Sequence, residues 1–322
     1  MPTIDLTDPI FSDEDKAREY LEGQRWPDGV SCPFCGLVDK DDVKASARAT
    51  HGPGWYHCNP CRKLFTVRVR GVMERSHIPL TKWALVFHLM AASKKGVSAK
   101  QVQRMLGFKS YKTAWFMCHR IREAMKPDAK AGPLGGEGKI LASDETFVGG
   151  KKKNVHRGKP EPKKHAVHAL VERGGRVSAS HIPDVTAKTL RETLEKVADR
   201  KSKLHTDDSL ANLSIGKDFA EHKTVAHTLG EYVSKDGTVH TQDVESFFAI
   251  LKRGVMGSFH SVSEQHLGRY VDEFAFRWNT RSALGIEDTE RASRMIKGAA
   301  GKRLTYRRTD TPFAPEGNGT PA

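Results

Sequence analysis

Residues 140–150 read ILASDETFVGG. The run has the length of a strand, is apolar at both ends, and is closed by a pair of glycines. At its centre stands Asp144, a carboxylate in an apolar setting, where its charge is expensive unless something pairs with it. Neighbouring strand residues face opposite sides, so only one of Asp144 and Glu145 is expected to point at any one site. Downstream, HAVHALVER (165–173), RVSASHIP (176–183) and KLHTDD (203–208) also read as strands. TAKTLRETLEKVADR (186–200) reads as a helix capped by Thr186, and 241–252 and 263–278 have helical period. These alternations predict a mixed α/β domain over residues 131–305.

Upstream, residues 126–139 (KPDAKAGPLGGEGK) look like a linker, rich in Gly, Pro and Lys. Residues 76–130 read as a helical module. Thr81 is expected to cap WALVFHLMAASKK, and Ser98 to cap AKQVQRML, which Gly107 ends. A third helix over about 110–126 is expected to turn Trp115, Phe116 and Ile121 inward and Lys112, Arg120 and Arg122 outward. The last two helices have the layout of a helix-turn-helix. In a major groove, Lys109, Ser110, Lys112 and Thr113 would meet DNA, and Arg120 and Arg122 its backbone. An ordinary bundle with solvated basic faces would look the same.

Residues 1–75 hold a short helix over 12–24, capped by Ser12, and then two C-x2-C knuckles, Cys32/Cys35 and Cys58/Cys61. Each knuckle delivers two thiolates from one tight turn, which suits a tetrahedral Zn²⁺ site with four sulfurs and no open position. Such a site is structural. His51 and His57 lie nearby but are not needed as ligands, and Cys118 and His119 are read as core. In LFTVRVR, Arg68 and Arg70 would share one face of a strand, either towards phosphates or towards solvent.

The chain has 322 residues, 38% hydrophobic and 29% charged, with a formal net charge of +14. That excess favours a polyanion, nucleic acid before an acidic membrane surface. No stretch approaches the ~18 apolar residues of a membrane span, and the N-terminus lacks the pattern of a signal peptide. An intracellular protein with reduced thiols is expected. Residues 306–322, rich in Pro and Gly, are expected to be disordered.

Phosphodiester cleavage by two metals needs a small set of carboxylates from separate elements. Three candidates have that placement. Asp144 lies in a strand, Asp207 ends KLHTD, and Glu245 lies in the helix TQDVESFFAILKR, with Lys252 two turns further on. Glu145, Asp208 and Asp243 are neighbours able to replace them. The run KKKNVHRGKPEPKK (151–164), with Lys151, Lys152, Lys153 and Arg157, reads as an arm for DNA backbone or as a solvated loop.

These segments together resemble one family. RWPDGVSCPFCG (25–36), CRKLFTVRVRGVMERSHIPLTKW (61–83), SDETFVGGKKKN (143–154), LHTDD (204–208), VHTQDVESFFAILKRGVMGSFHSVS (239–263) and LGRYVDEFAFRWNTR (267–281) are similar to bacterial insertion-sequence transposases of the 1595 family. The resemblance implies an RNase H-like DDE domain behind a zinc ribbon and a helix-turn-helix-like module. It implies Asp144, Asp207 and Glu245 as ligands of Mg²⁺ or Mn²⁺, with Lys252 beside them. It also implies cleavage at element ends, strand transfer into target DNA, a homo-oligomer, and action at the bacterial nucleoid in the cytoplasm. The rival readings are a non-catalytic DNA-binding regulator, including a domesticated transposase, and a nuclease that cuts without joining.

Overall fold

The computed structural model describes residues 4–46, 50–128, 131–150, 163–225 and 239–305. Helix α1 (Glu14–Arg25) is capped by Asp13, which accepts from the amides of Asp15 and Lys16, one residue later than Ser12. The ribbon that follows has three short antiparallel strands in the order β1-β2-β3: β1 (Val43–Ala45), β2 (Tyr56–Cys58) and β3 (Lys63–Phe65). The strand expected to run through Arg70 stops at Phe65. Arg68 instead turns back to donate to the carbonyls of Ser76 (3.2 Å) and Ile78 (2.8 Å), and Arg70 lies over the Phe34 ring.

Helix α2 (Leu80–Ala92) begins one residue before Thr81 and is capped from outside. The Glu14 carboxylate accepts from the amides of Leu80 (2.7 Å) and Thr81 (3.2 Å). A carboxylate from α1 thus satisfies orphan donors at a positive helix end and fixes the two helices together. Helix α3 (Ala99–Met105) starts at Ser98 as expected, the Ser98 hydroxyl accepting from the Gln101 amide. Gly107, at φ +66°, turns the chain into α4 (Tyr111–Ala124).

The second half is built on a five-stranded sheet. Its strands are β5 (Ile140–Gly149), β6 (Lys164–Glu172), β7 (Val177–Ile182), β9 (Lys203–Asp207) and β10 (Glu221–Val225), in the order β10-β9-β5-β6-β7. β5, β6 and β7 form an antiparallel meander, and β9 and β10 run parallel to β5. Part of the expected linker is structured. β4 (Leu134–Gly135) pairs with β8 (Ala198–Asp199). Helices α5 (Ala187–Val197) and α6 (Leu210–Gly216) cover one face, with Leu141, Leu170, Leu190, Leu194, Leu204 and Ile215 in its core. Helices α7 (Gln242–Gly254) and α8 (Glu264–Asn279) cover the other, over Ala142, Val148, Val167, Ala169 and Val171.

The chain ends by returning to its beginning. Helix α9 (Asp288–Lys297) buries Ala292, Met295 and Ile296 in the core that also holds Leu21, Trp83, Phe87, Met117, Cys32 and Cys58. Ribbon, helical module and C-terminal helix therefore share one core.

The two halves meet at buried charge. Arg122, expected on the surface, is 1% exposed and donates to Glu273 (2.7 Å), itself fully buried. Arg277 donates to the other Glu273 oxygen (2.7 Å) and to the Ser93 carbonyl. The Arg122 guanidinium lies 4.1 Å from the Tyr270 ring centroid and 5.2 Å from that of Phe259. Gly96, at φ +82°, leaves the space a Cβ would take from Phe259, only 2.4 Å away. Arg122 is drawn inside because α4 docks on α8, which turns the Arg122 side of α4 into an interface. Arg291 adds a further tie, donating to the carbonyls of Ala91, Thr280 and Ile286.

Two predictions follow from this junction. Glu273→Ala leaves two buried guanidiniums without a counter-charge and is expected to destabilise the fold by about 3–5 kcal/mol in urea unfolding; a loss below about 1 kcal/mol would show that the pair is not needed. The second concerns His119, whose ring nitrogens are buried without a hydrogen-bond partner beside Trp115, His266 and Tyr270. Burial, then the charges of Arg122, Arg269 and His266, hold it down to about 2. The unfolded chain therefore binds a proton near pH 6.5 that the folded chain refuses, and stability falls as pH drops below 6.5. His119→Phe is expected to flatten this acid limb by up to ~1.4 kcal/mol per pH unit, measured as thermal stability from pH 7 to 4.

Candidate active site and zinc centre

β5 and β9 are in register from Ile140↔Lys203 to Ala142↔His205. Carrying that register two residues further puts Asp144 level with Asp207, at the C-terminal end of β9. Asp144 shares strand parity with Ala142 and Val148, which face α7 and α8. Asp207 likewise shares parity with His205, the partner of Ala142. Helix α7 lies across β5 and β6 on that face and carries Glu245 in its first turn. The three expected acids thus come from two neighbouring strands and the helix packed over them. Their carboxylate oxygens are not all within 4.8 Å of one another. They form no compact cage for a single ion, whereas two ions ~4 Å apart spread their ligands more widely.

Each acid is held. The Asp207 Oδ1 accepts from the Asn212 side chain (2.6 Å) and the Ser209 amide (3.1 Å). Glu245 Oε1 accepts from the Thr241 hydroxyl (3.1 Å). The Asp144 Oδ1 accepts from the Glu145 amide (2.7 Å). Asn212, buried at the start of α6, was not foreseen. The D-x-S-x-x-N spacing of residues 207, 209 and 212, in which Ser209 caps the helix, was the available signal. Lys252 is exposed two turns along α7. Asp243, the alternative to Glu245, acts instead on Arg281, whose guanidinium lies over Trp278. The two acids are two residues apart on one helix and so point nearly opposite ways.

Glu145 is the strand neighbour able to replace Asp144, since only one of the two is expected to point at a given site. Its backbone does diverge, yet its carboxyl senses both aspartates. Burial first, then the charges of Asp144 and Asp207, push it up to about 8. Its Oε1 is buried without a hydrogen-bond partner. A buried carboxyl pushed up beside two aspartates suits a site completed by cations.

At the ribbon, the Sγ atoms of Cys32, Cys35, Cys58 and Cys61 lie within 4.8 Å of one another, with Cys32–Cys61 at 4.0 Å and Cys35–Cys58 at 3.8 Å. Zn–S bonds of about 2.3 Å in a tetrahedron give edges of about 3.8 Å. The four sulfurs fit zinc. His51 bonds to Ser46 and His57 to Asn59, neither joining the cluster.

A model of the transposase zinc-ribbon domain of the 1595 group matches residues 12–64, and a model described as the ISXO2-like transposase domain, the DDE domain of the same group, matches residues 134–279. The chain belongs to the insertion-sequence 1595 transposase family. Its five-stranded mixed sheet with helices on both faces is the RNase H-like fold of that family's DDE domain. A relative from Halobacterium salinarum, an "Uncharacterized protein in transposable element ISH50", is 26% identical over 288 residues, covering 83% of this chain and 91% of the relative. That source is archaeal, so the likeness is not confined to bacteria. Among solved structures, a chain of the simian T-cell lymphotropic virus intasome in complex with PP2A regulatory subunit B56 gamma matches at 12% identity and a TM-score of 0.30, over 74% of this chain and 80% of that one.

Of this transposase's expected DNA contacts, Lys109 and Lys112 are exposed at the start of α4. Arg120 is half-buried, donates to the Glu74 carbonyl (2.8 Å) and lies over the Phe116 ring. Lys151, Lys152, Lys153 and Arg157 lie outside the described residues. Among those residues no helix is long and apolar enough to cross a membrane.

Cys32 and Cys58 are fully buried members of the large N-terminal core, so loss of zinc should loosen more than the ribbon. Cys32→Ser, or chelation, is expected to release one zinc per chain and lower the melting temperature of the α1–α4 half; an unchanged melting curve after the metal is lost would separate ribbon from core.

Proposed function

We propose that this family member is an active DNA transposase that cuts phosphodiesters at the ends of its element and joins the freed 3′-hydroxyls to target DNA. What supports the reading is the placement of Asp144 and Asp207 on neighbouring strands, with Glu245 on the helix packed over that face of the sheet, in a domain of this family. Held by Asp144, Asp207 and Glu245, two Mg²⁺ or Mn²⁺ ions would activate the attacking oxygen and neutralise charge on the leaving one.

The chain's own residues do the rest. Asn212 and the Ser209 amide fix the Asp207 carboxylate, and Thr241 steadies Glu245. Lys252 holds the phosphate beside Glu245. Lys109, Lys112 and Arg120, with Lys151, Lys152, Lys153 and Arg157, contact the DNA backbone, in keeping with the net charge of +14. Cleavage and joining exchange one phosphodiester for another, so neither ATP nor a covalent enzyme intermediate is required. Two ends joined in one event call for a homo-oligomer, acting on DNA at the nucleoid.

The test uses duplexes bearing the element's labelled 3′-end, with Mg²⁺. Cleaved and joined products are expected. Cleavage alone would make the chain a plain nuclease, and neither product a regulator. Asp144→Ala is expected to reduce both products at least ~10²–10³-fold with DNA binding close to the parent's; equal loss of binding would remove Asp144 from the chemistry.

A further inference from the structure

A second group of ligating side chains lies away from both the carboxylates and the ribbon. His165 on β6, His181 on β7 and Glu264 in the first turn of α8 each bring one ligand atom within 4.8 Å of the others. His165 Nδ1 stands 3.6 Å from a Glu264 oxygen, and the two imidazole centroids are 5.9 Å apart at 79°. We propose that these residues form a second metal centre for a divalent transition-metal ion of zinc's class.

The register explains how they converge. Val167 is the partner of His181, and His165 has the same parity as Val167, so both imidazoles emerge on the face covered by α8. They lie on the face whose apolar core holds both Val167 and Leu267, where α8 packs along β7. Three elements distant in sequence supply the three ligands, so the grouping comes from the fold. Two imidazoles with one carboxylate form a donor set suited to Zn²⁺ and its neighbours rather than to Mg²⁺. His165 is largely covered, its side chain 16% exposed, while Glu264 at 61% faces solvent. The imidazoles therefore make a fixed inner pair, the carboxylate closes from outside, and the remaining positions stay open to water.

The centre is separate from the carboxylate site. Asp144 is the partner of Ala169, four residues along β6 from His165, or about 13 Å at ~3.3 Å per residue. Metal here ties the edge strand β7 to α8, the helix that also supplies Glu273 and Arg277 to the junction between the two halves. The inference does not depend on the transposition chemistry and stands or falls separately from it.

The experiment titrates Co²⁺ into the full-length chain with zinc already in the ribbon. One Co²⁺ equivalent is expected to give the visible bands of nitrogen-ligated, low-coordinate cobalt without the sulfur-to-metal band that ribbon exchange would produce. The double variant His165→Ala, His181→Ala is expected to lose this equivalent and keep its ribbon zinc. Glu264→Gln changes an exposed side chain with little folding risk. It is expected to weaken binding more than tenfold, since even loss of an outer partner weakens metal binding about 10–100-fold. Zn²⁺ should raise the melting temperature of the parent more than that of Glu264→Gln. No histidine-dependent equivalent in the parent, or the same titration in the parent and Glu264→Gln, overturns the proposal and leaves a simple His165–Glu264 ion pair.

Discussion

The buried contact of Arg122 with Glu273, completed by Arg277, governs how this molecule is assembled. Three charges removed from water carry a heavy desolvation penalty unless each is met by an opposite charge and good hydrogen bonds. Here one carboxylate meets two guanidiniums, one oxygen each, while Tyr270 and Phe259 flank Arg122 with their rings. Such an arrangement tolerates little displacement. It fixes α4 of the helical module against α8 of the sheet domain, and thereby sets how the face bearing Lys109 and Lys112 is presented relative to the carboxylates.

The N-terminal half is unified from a different source. The ribbon's strands are only three residues long and bury little by themselves. Four converging sulfurs hold its turns, and Cys32 and Cys58 then pass into the core beneath α2 and α4. Helix α9 completes that core from the far end of the chain. The three stretches that the sequence divides at residues 75 and 130 are consequently linked by shared apolar packing.

The sheet concentrates negative charge at one place. Parallel registration of β5 and β9 sets Asp144 and Asp207 level, α7 brings Glu245 over the same face, and Glu145 responds to both aspartates from beside them. Repulsion of this kind opposes folding unless protons or cations relieve it. The protein supplies some relief through Asn212, Ser209 and Thr241, and a two-ion chemistry would supply the rest.

The sequence by itself determined the elements and the type of chemistry. Alternation identified β5, β6, β7 and β9, and capping residues identified α3 and α5. Cysteine spacing specified zinc, and Asp144, Asp207 and Glu245 were legible as acids in two strands and a helix. These signals are local, set by periodicity, turn chemistry and ligand spacing within a few residues. Only the tertiary structure decided what depends on partners distant in the chain. Arg122 looked like a solvent-facing arginine because nothing near it reveals Glu273, 151 residues on. Glu14 caps α2 from 66 residues away, Arg68 and Arg70 leave the strand they were assigned to, and the repulsion that Glu145 feels from Asp144 and Asp207 is sharpened by its burial. Its coupling, like the meeting of His165, His181 and Glu264, arises from strand order and helix docking, and neither is written into any short stretch of residues.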